Sequence, residues 1–243
     1  TRQTVAKGQP LDVSLIVGPF PAAVASRTVV VSSATPVTSL VWVLAVPKGA
    51  PKPDISTPAA VKKALLDAKS IGYEDPDFAV AGQGPWEVLT KLGIADQVAA
   101  KSKVELGPGR EGVDPSMTDA FVATVRRLEA GNIDIALHQL GDLVENKDKY
   151  QIVGVLPREI ATPTPIVGFL STRAKDSAGA KALLQYLASP EAQTIWKEAG
   201  LGAPEKWPVA GAAKSLQVIP SEVTLRPGQA ATFVQQRITQ AVP

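Results

Sequence analysis

The chain reads as an α/β protein, and three observations carry that reading. Short runs rich in Val, Leu and Ile alternate along the 243 residues with amphipathic segments that bear helix start and stop residues. Proline-bearing connections at residues 46–52 and 162–165 divide this pattern so that both chain ends fall together and the middle falls apart from them. A hydrophobic content of 45% at a formal net charge of +2 supplies enough apolar surface for a real core.

Residues 1–9 are polar and read as the end of a helix, and LDVSLIV at 11–17 reads as a buried strand closed by Gly18 and Pro19. Residues 20–39 carry a valine run and then SSATPVTS, read as loop and edge strand. The run at 40–46 reads as a central strand, being far short of the roughly 20 residues that span a bilayer. The connection KGAPKPDISTP has a defined end, because Ser56 or Thr57 caps a helix with Pro58 at its first position. A strand at 70–73 follows that helix.

Residues 81–84 then read as a glycine loop with uncovered backbone N–H groups, and Pro85 opens a helix that Gly93 ends. A helix start reached through glycine gathers orphan donors and the positive end of the helix dipole, which suits an anion. A plain strand-to-helix turn with small residues is the alternative, and the stretch by itself admits both.

A short helix at 94–101 and a strand at 104–106 come next, then a flexible loop at 107–115 in which Arg110 belongs to a surface loop or a lid. Ser116 or Thr118 caps a long helix that ends at Gly131. Strands follow at 133–137, 152–156 and 166–170, with a polar helix or loop at 142–149. Helices at 177–187 and 189–200 close the pattern, the second with Ser189, Pro190 and Glu191 as cap, first position and first-turn acid. Strand–helix alternation of this kind argues for mainly parallel sheets. Domain boundaries follow: a discontinuous first lobe at 1–47 and 166–206, a second lobe at 48–165, and a hinge with an inter-lobe cleft. A tail at 207–243 has β character and partly resembles the start of an immunoglobulin-like module.

Composition removes several functions. The 25 basic and 23 acidic residues are intermixed, so no nucleic-acid partner is expected. Without cysteine there is no disulfide and no thiolate metal site. His138 is the single histidine, which excludes a histidine-rich metal centre and leaves a Ser-His-Asp triad only through His138 itself. No catalytic residue, metal site or cofactor is expected. Glu74 with Asp75, and Asp142 with Glu145, read as solvated acids. His138, between Leu137 and Leu140, is either a half-buried structural residue or a donor to an anionic ligand, stronger when the ring is charged.

The blocks VPKGAPKPDISTPAAVKKALLDAKSIGYEDP, AGQGPWEVLTKLGIADQV, VRRLEAGNIDIALHQLGDLV, VGVLP and ALLQYLASPEAQTIWKEAGL occur in this order. Over residues 1–204 they resemble the molybdate-binding-like periplasmic substrate-binding proteins of ABC transporters. The resemblance implies a two-lobed type II periplasmic-binding-protein fold without catalysis. It also implies a monomer that holds a small anionic ligand, a molybdate-like oxyanion or small organic anion, and docks on ABC transporter membrane subunits. Its place would be periplasmic or otherwise extracytoplasmic. By position it implies ligand contacts at Ala81, Gly82 and Gln83, near Phe121, and at His138 or Gln139 after the IDIAL strand, with Gly18 and Pro19 facing them. A non-transport sensor or adhesion-associated module of the same fold is the second reading, suggested by the tail.

Two departures bear on the ligand. The family's first strand with its serine-bearing loop, and a second small-residue loop, lie upstream of anything in this sequence. His138 and Gln139 also stand where molybdate binders carry tyrosine. Micromolar affinity takes about 8 kcal/mol, and a hydrogen bond to a charged group contributes roughly 1.5–3 kcal/mol, so losing two or three donors removes most of it. Calorimetry is expected to show weak or no molybdate binding; tight uptake of molybdate or tungstate would overturn this.

Overall fold

In the computed structural model, which describes residues 11–18, 27–76, 80–105, 120–144 and 147–206, the apolar runs become strands close to their expected places. The expected helix end at 1–9, Pro19, the loop at 107–115 with Arg110, the caps Ser116 and Thr118, Glu145 and the tail from 207 lie outside the described residues.

Strand β1 is Val13–Val17. Strand β2, Val29–Leu40, is longer than expected, because the SSATPVTS segment is extended rather than looped. Its hydroxyls bond locally: Ser33 Oγ donates to the Val30 carbonyl and accepts from Leu170 N at 2.8 Å, and Thr35 Oγ1 donates to the Ser33 carbonyl. Strand β3, Trp42–Pro47, is buried through Val46. Helix α1, Pro58–Asp67, starts as the sequence indicates, with Thr57 extended and its hydroxyl accepting from Ala60 N at 3.1 Å. It buries Val61 and Leu65.

Strand β4, Ile71–Glu74, leads to helix α2, Val80–Lys91. Here the structure corrects the sequence reading: residues 81–84 are already helical, and Pro85 lies inside the helix rather than at its first position. The glycines serve packing. A Cβ on Gly82 would lie 2.3 Å from the Glu74 carbonyl oxygen, and one on Gly84 would lie 2.1 Å from the Trp42 ring. Only a hydrogen at those two positions lets α2 approach the sheet this closely. The other end of α2 is as expected, with Gly93 at φ 64. Gly93 N bonds Thr90 O and Ile94 N bonds Leu89 O, both at 3.0 Å, which closes the last turn.

Helix α3, Ala95–Val98, a single 3₁₀ turn and strand β5, Ser102–Glu105, follow. Helix α4 is Ala120–Glu129, strand β6 Ile135–Gln139, helix α5 Leu140–Val144 and strand β7 Tyr150–Val155. Strand β8 is Thr164–Ser171, helix α6 Ser177–Leu187, helix α7 Pro190–Glu198 and strand β9 Leu201–Gly202. Asp176 caps α6 by accepting from Gly179 N at 2.9 Å.

The strands form two sheets, ordered β1-β8-β2-β9 and β5-β4-β6-β3-β7. Both are mixed in direction or antiparallel rather than mainly parallel. In the five-stranded sheet β4 is parallel to β5 and β6, while β3 runs against both β6 and β7. In the other, β1 is antiparallel to β8 and β2 to β9. Apolar periodicity marks a strand but carries no sign of its direction, so the reversal of β3 is invisible in the sequence.

The chain divides into two units. The first takes Thr1–Val37, Pro165–Pro190 and Pro204–Pro243, and the second takes Thr38–Thr164 and Glu191–Ala203. The core of the first is Ile16, Val29, Val167 and Phe169. That of the second includes Val43, Ala45, Leu128, Ile133, Ala136, Leu143 and Tyr150. Tyr150 is buried whole because its hydroxyl donates to Leu143 O at 2.8 Å.

Urea denaturation should separate two local effects. Thr57→Ala removes the α1 cap and should cost about 1 kcal/mol. Gly84→Ala forces a methyl into the Trp42 ring and should cost about 1–3 kcal/mol. A neutral Gly84→Ala would show that α2 does not depend on this close approach.

Candidate functional site

The register of β4 and β6 builds the site. Ile71 pairs with Ile135 and Gly72 with Ala136, so two residues further along each strand Glu74 and His138 come side by side. Both are at the carboxyl ends of parallel strands, where open α/β sheets hold their ligands because helix N-termini follow there. Beyond β4 lie Asp75 and the first turn of α2, and beyond β6 the chain enters α5 at once.

Strand alternation then sorts the side chains. Val43, Glu74, Ala136 and His138 share a side with Gly72, whose missing Cβ would lie 3.3 Å from Thr124 of α4. Trp42, Tyr73, Leu137 and Gln139 start from the other side, where the Trp42 ring covers Gly84 of α2. Ala81, Gly82 and Gln83 therefore belong with Gln139, while His138 faces α4. The two groups join at Asp142 on α5: its Oδ2 accepts from Gln139 Nε2 and lies 3.3 Å from His138 Nδ1.

His138 is in the strand rather than after it, and it is buried rather than half-buried, at 1% exposure. Its Nε2 lies 3.2 Å from Glu74 Oε1. The acids are corrected as well, since Glu74 is 1% and Asp75 4% exposed, and Asp142 is mostly covered. Taking a carboxylate out of water costs hydration, and a protonated His138 is placed to offset that cost for both Glu74 and Asp142. The Glu74 contact is an ion pair set off the hydrogen-bond direction, for neither Glu74 oxygen takes an aligned hydrogen bond among the described residues. The Thr124 hydroxyl is likewise buried without a hydrogen-bond partner among them.

Burial by itself pulls the His138 pKa down. The Glu74 contact, the charges of Asp142 and Glu74, and the Gln139 carbonyl outweigh it and hold the pKa above the ordinary 6.5. The ring thus keeps its proton more readily in the folded protein than in the unfolded chain.

The remaining expected residues are placed as follows. Ala81 and Gly82 are buried in the first turns of α2, and Gln83 beside them is half-buried. Gly18, in the first unit, has its N–H bonded to Pro165 O at 2.9 Å. The backbone of Phe121 is in the first turn of α4, and its side chain lies outside the described residues. Sequence reasoning missed Glu74, Asp142, Thr124 and Trp42. The one available signal was Asp142, four residues after the only histidine. Among the described residues no three His, Cys, Asp or Glu side chains are grouped to hold a metal ion.

An α/β fold of this topology, with a polar cluster at the carboxyl ends of its parallel strands, defines a class of ligand-binding proteins. Over residues 1–202 the sequence matches the bacterial extracellular solute-binding proteins, and the chain belongs to that family. It is 29% identical over 199 residues to an aconitate isomerase from a Pseudomonas species, covering 81% of this chain and 69% of that one. The fold resembles a Clostridium difficile substrate-binding domain assigned to a molybdenum ABC transporter, with TM-score 0.66, 20% identity and coverage of 84% and 82%. It also resembles the Azotobacter vinelandii periplasmic molybdate-binding protein, with TM-score 0.58, 18% identity and coverage of 84% and 83%. The type II periplasmic-binding-protein fold implied by the sequence is thus the fold of the chain. By family it is a bacterial extracellular solute-binding protein.

The raised His138 pKa has a definite sign for stability. A group held charged by the fold contributes fully below its unfolded pKa, and the contribution is lost as pH rises through the folded value. The melting temperature of the native protein should therefore fall relative to that of His138→Gln as pH increases above 6.5. Parallel profiles for the two proteins would remove His138 from this role.

Proposed function

We propose that the protein captures a small organic acid and delivers it to the membrane subunits of an ABC importer. Membership of the solute-binding family carries the binding role. The chemistry at the carboxyl ends of β4 and β6 supports an organic acid over a bare oxyanion. The first turns of α2 bring Ala81 and Gly82 to this place, and the N-terminal end of a 12-residue helix favours a carboxylate. Beside His138 stand the carboxylates of Glu74 and Asp142, acceptors that suit a solute carrying hydrogen-bond donors, which organic acids with hydroxyl or protonated carboxyl groups offer and molybdate does not. A relative named for its action on aconitate, a tricarboxylate, points to the same class of solute.

A thermal-shift series with mono-, di- and tricarboxylates beside molybdate and sulfate tests the reading. A solute at 100 times its dissociation constant adds about 2.7 kcal/mol of stability, which is readily seen as a rise in melting temperature. Carboxylates should stabilise the protein and molybdate should not; stabilisation by oxyanions alone would defeat the proposal. Aconitate incubated with the protein should remain unchanged by NMR, and interconversion of its isomers would overturn a purely binding role. Delivery is checked by solute-dependent stimulation of ATP hydrolysis by the transporter in membrane vesicles.

A further inference from the structure

Gln139 is 8% exposed, and its side-chain nitrogen donates to Asp142. A carboxylate only accepts hydrogen bonds, so the amide nitrogen must face Asp142 and the carbonyl Oε1 must face away. Among the described residues Oε1 takes no hydrogen bond. Glu74 Oε2 and the Thr124 hydroxyl are buried and take none either. Asp142 is held in turn by His138, whose second nitrogen meets Glu74, so Glu74, His138, Asp142 and Gln139 form one continuous polar chain.

We propose that His138 and Asp142 are positioning residues that fix the Gln139 amide with its carbonyl oxygen toward the solute, so that the site prefers organic acids carrying a hydroxyl to those without one. The selectivity half of this rests on the organic-acid reading above. An acceptor with no protein donor is satisfied by a donor on the solute, and a hydroxyl supplies one where a methylene does not. His138 attracts both carboxylates only while its ring is charged, so loss of the proton weakens its hold on Glu74 and Asp142 together. Two carboxylates face the ring, Glu74 from β4 and Asp142 from α5, and Val43, paired with His138 on β3, does not titrate.

Because His138 is the only histidine, its imidazole resonance is unambiguous by NMR. In the native protein the Gln139 side-chain amide, assigned by its absence in Gln139→Met, should shift with the same midpoint as the His138 ring. In Asp142→Asn that coupling should vanish and the His138 midpoint should drop. A Gln139 amide indifferent to the His138 titration, or still coupled to it in Asp142→Asn, overturns the positioning role. Should Asp142→Asn fail to fold, His138→Gln replaces it, and the native amide should then lose its pH dependence.

The selectivity is read from thermal-shift titrations of citrate against tricarballylate and of malate against succinate, pairs that differ by one hydroxyl. The native protein should prefer the hydroxylated member about tenfold, the worth of one hydrogen bond, and Gln139→Met should bind both members alike. Equal affinities in the native protein, or a preference kept in Gln139→Met, overturn it. If none of the four acids binds, the organic-acid reading and the selectivity fail together, while the NMR result decides the positioning role independently.

Discussion

The second unit depends on one buried histidine. His138 lies in a layer with Val43, Ala136, Leu128 and Leu143, and two carboxylates beside it favour its charged form. Removing one partner from such a cluster strands the others, at about 3–5 kcal/mol in comparable buried pairs. The arrangement therefore ties the end of β4, the end of β6 and the start of α5 together. These are the segments a solute has to meet if it binds at the carboxyl ends of the parallel strands.

Close packing sets the opposite side of the same strands. Gly82 and Gly84 let α2 lie against the Glu74 carbonyl and the Trp42 ring, and the Trp42 indole N–H is satisfied by Thr162 O at 3.1 Å. Lys91, Glu87 and Thr162 form a further polar link between the end of α2 and the connection after β7. The start of α2 is thereby held by contacts along its length. A helix dipole acts usefully on a solute only when its first turn is placed this firmly.

Charge and position together narrow the chemistry. A helix start invites a carboxylate, whereas the acids around His138 invite hydrogen-bond donors. The fold is shared by binding proteins for different solutes, so the discrimination has to come from such side chains rather than from the architecture.

The sequence by itself determined the order of strands and helices, the Thr57 and Pro58 start of α1, the Gly93 and Gly131 stops, and the family to which the chain belongs. These rest on local rules, a capping oxygen or a backbone angle, that act within a few residues. It located Gln139 and the start of α2 as candidates but misread their neighbours. Glycines that suggested an open loop are helical, because Gly84 makes room for a tryptophan ring 42 positions earlier in the chain and Gly82 for the Glu74 backbone. Glu74, which suggested a solvated surface, is buried, because its partner His138 arrives on another strand. Only the tertiary structure decided the reversal of β3, the burial of His138 and its two carboxylates. Strand direction and charge pairing are settled by residues far apart in sequence, and no local pattern records which of them will meet.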